Sequence, residues 1–118
     1  MTQEDKDLLL KDLCARLPYG VWIERKLKSC KFGAKCMLNA HDISAIEREQ
    51  YEFCKPYLFP LSSMTEEQEE EYNSLNCWDL GCFPHTEDAL DYLIANHFDY
   101  RGLIPMGLAN DATGLNIY

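Results

Sequence analysis

Apolar residues recur at Leu10, Leu13, Cys14 and Leu17, the i, i+3, i+4, i+7 stripe of an amphipathic helix, in a segment that opens on Thr2 with Asp5 at a capping-box spacing. Pro18 and Gly20 punctuate its end, so residues 1–20 are expected to form one helix. From Val21 the pattern changes. Val21, Trp22 and Ile23 open a β-rich stretch, Lys28 and Ser29 are turn-like, and Phe32, Gly33, Cys36 and Met37 follow, which predicts a hairpin. Ile43, Ile46 and Phe53 suit either a short helix or further strands; residues 43–54 are assigned to strands, completing a small antiparallel β region over 21–54. Pro56 and Pro60 lie in an extended segment, 55–64, whose missing amide donors point to an edge or a crossing strap rather than a central strand.

Polar positions dominate next. Thr65 with Gln68 forms a capping box, and at about 100° per residue Glu66, Glu67, Glu69, Glu70 and Glu71 fill one broad arc while Gln68, Tyr72 and Leu75 occupy the other. After the loop 76–84, Thr86 opens a further helix with Glu87 and Asp88 in its first turn and Leu90, Leu93, Ile94 and His97 at helical spacing, ending over 96–102. The tail is expected to be a short apolar turn with a loosely ordered end. The order of elements argues for an α+β single domain, 1–118: an N-terminal helix, a small antiparallel β region and two C-terminal helices in an acidic part, 65–118. Core candidates are Leu9, Leu13, Leu17, Trp22, Phe53, Leu58, Tyr72, Trp78, Leu90, Ile94 and Phe98.

Composition adds limits. At 118 residues and 47% apolar the chain has the length and content for one packed core. No apolar run approaches the roughly 18 residues of a membrane span, and the segment MTQEDKDLLLKDL lacks the basic and apolar regions of a signal peptide, so a cytoplasmic location is expected. Net charge is −9, unevenly spread: residues 21–55 carry +2, whereas 56–118 carry −10, with Arg101 against eleven carboxylates. That balance disfavours nucleic acid and anionic lipid as general partners and favours basic protein surfaces.

Six cysteines, Cys14, Cys30, Cys36, Cys54, Cys77 and Cys82, resemble a disulfide framework only until the context is weighed. Without a signal peptide the thiols should stay reduced and mostly buried. Cys30 with Cys36 and Cys77 with Cys82, near His41 and His85, are spaced too widely for a zinc-binding pair. No metal and no cofactor are assigned. Cys82 with His85, or Cys36 with His41, supplies a thiol and an imidazole near in sequence alone, and no phosphate loop, G-x-S-x-G or H-E-x-x-H occurs, so the chain is read as non-enzymatic.

Two charged stretches carry interaction hypotheses. Five glutamates within six residues, about 9 Å of helix, place one charge per about 1.8 Å, close to the roughly 1.7 Å of duplex DNA. With Asp79, Glu87, Asp88 and Asp91, they offer a negative face to a basic protein surface, mimicking a phosphate backbone. The alternative is a nucleic-acid adaptor using Arg25, Lys26, Lys28, Lys31 and Lys35, interleaved with Trp22 and Phe32; a zinc-stabilised module is a third reading.

The blocks LLLKDLCARLPYGV (8–21), KPYLFPLSSMTEEQ (55–68) and HFDYRGLI followed by GLA (97–109) together resemble a family of small phage and prophage proteins of gut bacteria. Pro105, Met106 and the tail after Ala109 depart from that pattern. The resemblance implies no activity, cofactor or catalytic residue. It implies a protein that binds and modulates a host or phage protein, with a nucleic-acid-handling defence complex as one target class.

Overall fold

The computed structural model describes residues 2–74 and 87–118. Helix α1 spans Gln3–Arg16, and Thr2 caps it by accepting a hydrogen bond from the Asp5 amide at 3.1 Å. A 3-10 turn over Leu17–Tyr19 follows, and Gly20 at φ +80° makes the reversal into the sheet. Strands β1 (Trp22–Leu27) and β2 (Ala34–Met37) form the expected antiparallel hairpin, with Ile23 opposite Cys36.

Beyond the hairpin the structure departs from the sequence pattern twice. Residues 40–47 fold as a helix, α2 (Ala40–Glu47), not as strand. The deciding signal is Asn39 with Asp42: each side chain accepts from the other residue's amide at 3.1 Å, a reciprocal cap that the Ile43–Ile46 spacing alone does not reveal. The supposed strap is the end of a long strand, β3 (Tyr51–Pro60), which lies inside the sheet order β2-β1-β3-β4. Proline is tolerated there because Pro56 occupies the last register position of the β1 ladder and Pro60 the last residue of the strand, where pairing partners change.

Helices α3 (Glu66–Ser74) and α4 (Glu87–Ala95) follow, then the two-residue strands β4 (Phe98–Asp99) and β5 (Asn110–Asp111), both parallel to β3. The described residues thus form an α+β fold of four α-helices and a five-stranded mixed sheet, one helix more than expected. The tail is also more ordered than its composition suggests. Ala112 donates to the Leu58 carbonyl and is buried, and the Asp99 carboxylate accepts from the Leu103 and Ile104 amides at 2.8 and 2.9 Å.

Leu9 and Leu13 of α1, Ile46 of α2, and Val21, Ile23, Cys54, Leu58, Leu103 and Leu108 make one core on one face of the sheet. Leu9, Leu13, Leu58, Ile94 and Phe98 are buried as expected, whereas Leu17, Trp22, Phe53, Tyr72 and Leu90 are half-buried; Trp78 lies outside the described residues. The stripe of α1 is displaced: Cys14 is exposed, and the buried set is Leu9, Asp12, Leu13 and Arg16. Two core-facing positions are therefore charged.

Candidate functional site

The glutamate arc is placed as the period requires. Thr65 and Gln68 complete the capping box of α3, the Thr65 amide donating to Gln68 at 2.9 Å and the Gln68 amide to Thr65 at 3.2 Å. Glu66, Glu67, Glu69, Glu70 and Glu71 are exposed, whereas Gln68 and Tyr72 are half-buried. None of the helix's residues is buried, and among the described residues no ion pair involves these glutamates. Asp91 is exposed on α4; Glu87 and Asp88 open that helix; Asp79 lies outside the described residues.

Glu71 differs from its neighbours. It accepts a hydrogen bond from the Tyr92 phenol, which, together with burial as the larger cause, raises the Tyr92 pKa. That contact joins α3 to α4. Glu71→Ala is expected to cost about 0.5–1.5 kcal/mol in thermal or urea unfolding, while Glu70→Ala should cost no more than about 0.5 kcal/mol.

The basic residues are dispersed. Arg25 is half-buried, ion-paired with the buried Asp42 and bonded to the Tyr51 hydroxyl at 2.9 Å; that hydroxyl also donates to Asp42 at 2.6 Å. Burial and the Asp42 carboxylate push the Tyr51 pKa up to about 12. A register shift between Lys26 and Leu27 lets β3 bulge at Glu52, and Lys26 ion-pairs with that carboxylate. Lys28 and Lys31 lie exposed in the hairpin turn beside Phe32, which is 81% exposed. Lys35 instead lies across the sheet, 5.7 Å from the Trp22 and Tyr57 ring centroids.

That placement exposes a surface the sequence reading missed. Side chains two apart on a strand share a face, and the registers Trp22–Met37, Glu24–Lys35, Glu24–Lys55 and Lys26–Phe53 put those residues on the face away from the core. Lys55 stands 5.7 Å from the Phe53 ring centroid. Pro56 and Pro60 disguise the strand that carries Lys55 and Tyr57; the period-2 alternation of Phe53, Lys55 and Tyr57 against buried Cys54, Pro56 and Leu58 is the sequence signal that marks it.

The charged interior is structural. Arg16, fully buried, donates to Asp12 at 2.7 Å and to the Phe98 carbonyl at 2.6 Å, while Arg101 reaches the other Asp12 oxygen at 3.1 Å. Nη1 of Arg16 and Nδ1 of His97 are buried and find no hydrogen-bond partner among the described residues. His97, at φ +65°, stacks on Tyr118 with centroids 3.6 Å apart; burial first, then the Arg16 charge, lowers its pKa to about 4. Tyr118 accepts from the Trp22 amide at 2.8 Å and donates to the Tyr57 carbonyl at 2.8 Å, so a hydroxyl bridges β1 and β3.

Cysteine burial is narrower than expected: Cys54 is buried and Cys36 half-buried, but Cys14 and Cys30 are exposed because they lie on the solvent side of α1 and in the hairpin turn; Cys77, Cys82 and His85 lie outside the described residues. Burial raises the Cys36 pKa, the opposite of an activated thiolate. Among the described residues no group of three His, Cys, Asp or Glu side chains is placed to hold a metal ion, and no helix is long and apolar enough to cross a membrane. No protein-family model, no curated protein and no solved structure matches the chain.

Proposed function

We propose that the chain is a non-catalytic binding protein that sets the exposed carboxylates of α3, extended by Asp91, against a basic surface of a host or phage protein. The observation that carries this reading is a nine-residue helix that buries none of its residues and presents five exposed glutamates. Such a helix adds little to the core, so its charge acts outward. The spacing of its carboxylates suits a cleft built for a phosphate backbone, which makes a nucleic-acid-handling complex the fitting partner class and occlusion of its cleft the fitting mechanism.

Replacing Glu66, Glu67, Glu69 and Glu70 with Gln removes four exposed charges and leaves the Glu71–Tyr92 contact in place. Capture from nuclease-treated bacterial lysate is expected to fall at least about tenfold for the variant, with stability changed by no more than about 1 kcal/mol, because exposed helix charges contribute little. Equal capture by the two proteins removes the acidic face from the account. Enrichment that vanishes on nuclease treatment points instead to nucleic acid as the partner.

A further inference from the structure

The open face of the sheet brings Trp22, Phe53 and Tyr57 together with Lys35 and Lys55, from three strands and from segments that the sequence alone assigned to different units. We propose that this face binds single-stranded nucleic acid, the rings stacking on bases and the two lysines meeting phosphates. The surface shares no residue with α3, so this proposal stands or falls apart from the acidic-face reading.

Three observations favour that occupant. First, the face is built on a rigid element. β1 is paired on both sides, with β2 and with β3, and its alternate residues point into the core, so the ring positions are fixed by backbone register rather than by loops. Second, charge is locally reversed. In a chain of net −9, the charged residues that the registers bring to this face, Lys26, Lys35 and Lys55 against Glu24 and the Glu52 paired with Lys26, sum to +1. Lys26 is ion-paired with Glu52, and Glu24 keeps its charge while accepting from the Asn110 side-chain amide at 3.4 Å, whereas among the described residues Lys35 and Lys55 lie over rings and in no ion pair. Both stand opposite Glu24, on the strands flanking β1, so their backbones lie about 10 Å apart at ordinary strand spacing. Third, the Lys35 ammonium sits equidistant from the Trp22 and Tyr57 centroids. A phosphate draws the ammonium off at small cost, since an exposed cation–π contact is weak, and thereby uncovers two ring faces for bases. An acidic peptide satisfies the lysines but leaves the rings without planar partners.

Anisotropy of fluorescein-labelled oligo-dT and oligo-U of about 12 nucleotides tests this, with a duplex of equal length and a poly-glutamate peptide as competitors, at about 50 mM and about 200 mM salt. The single strands are expected to bind, and two phosphate contacts at a slope of about −0.7 each weaken binding about sevenfold over that fourfold rise in salt. The double variant Lys35→Glu/Lys55→Glu should bind at least about tenfold more weakly with a flatter salt dependence. Trp22→Leu should bind about tenfold more weakly with the salt dependence retained; if it fails to fold by far-UV CD, the lysine pair decides. No binding of single strands at the lower salt, duplex competing equally, or poly-glutamate competing better overturns the proposal. So does binding that survives Lys35→Glu/Lys55→Glu and is lost in Lys28→Glu/Lys31→Glu, which would assign it to the hairpin turn.

Discussion

Asp12→Ala is expected to destabilise the fold by about 3–5 kcal/mol, enough to leave a small domain largely unfolded under mild conditions. The carboxylate is fully buried and serves two guanidinium groups, Arg16 at 2.7 Å and Arg101 at 3.1 Å. Arg16 is itself fully buried; it also meets the Phe98 carbonyl and the Tyr100 ring at 5.8 Å, and its Nη1 finds no hydrogen-bond partner among the described residues. Removing Asp12 therefore strands a whole positive charge in the interior, where an unpaired ion costs several kcal/mol. Arg101 is mostly buried but reaches solvent, so losing its partner costs much less. Arg101→Met, measured beside Asp12→Ala by urea unfolding, should accordingly cost no more than about 1 kcal/mol. The double replacement Asp12→Leu/Arg16→Met should be far milder than Asp12→Ala, because an apolar pair of similar volume leaves no buried charge behind.

Acidification gives the second large effect. His97 releases its proton at about pH 4 in the folded protein, against about 6.5 for an unfolded chain. Between those values the unfolded state holds more protons. The stability associated with neutral His97 is therefore complete above about pH 6.5 and declines as the pH falls toward 4, by about 1–2 kcal/mol once solvent screening of the half-buried ring is allowed for. The physical cause is burial beside the Arg16 charge and beneath the stacked Tyr118 ring, which leaves the imidazolium no acceptor at Nδ1 among the described residues. His97→Asn keeps a residue suited to the left-handed backbone at φ +65° and cannot titrate. Melting curves from pH 7 to about pH 4.5 should fall less steeply for that variant than for the parent; parallel curves would show that other groups carry the acid sensitivity.

Local signals were legible in the sequence where one residue's chemistry decides a local structure. Thr2, Thr65 and Gln68 marked helix starts, Gly20 marked the turn into β1, and the glutamates of α3 fell on the exposed side by helical period alone. What stayed hidden depended on contacts distant along the chain. Hydropathy shifts the α1 stripe because Asp12 and Arg16 read as solvent-facing, yet they pair with each other inside the fold, where Arg101, 89 positions from Asp12, donates to its other oxygen. Their i, i+4 spacing was visible, but nothing local says whether such a pair faces water or the core. Pro56 and Pro60 argued for a strap because a proline's missing donor matters only where the ladder needs one, and the register supplying that answer is non-local. Residues 40–47 turned on the reciprocal Asn39–Asp42 cap, strengthened by the Asp42 contacts to Arg25 and Tyr51 across the sheet. The open-face rings were hidden for a related reason, since Trp22 and Tyr57 meet only once β1 and β3 pair.

The acidic face of α3 is the centre of the functional account, and the salt dependence of affinity for the captured protein partner tests it most directly. Titration of that partner with the parent chain, and with the Glu66, Glu67, Glu69 and Glu70 to Gln variant, should give a parent affinity that falls steeply as salt rises from about 50 to about 200 mM, and a variant that binds weakly at both. An affinity that is independent of salt, or equal for the two proteins, contradicts the account and moves recognition away from α3.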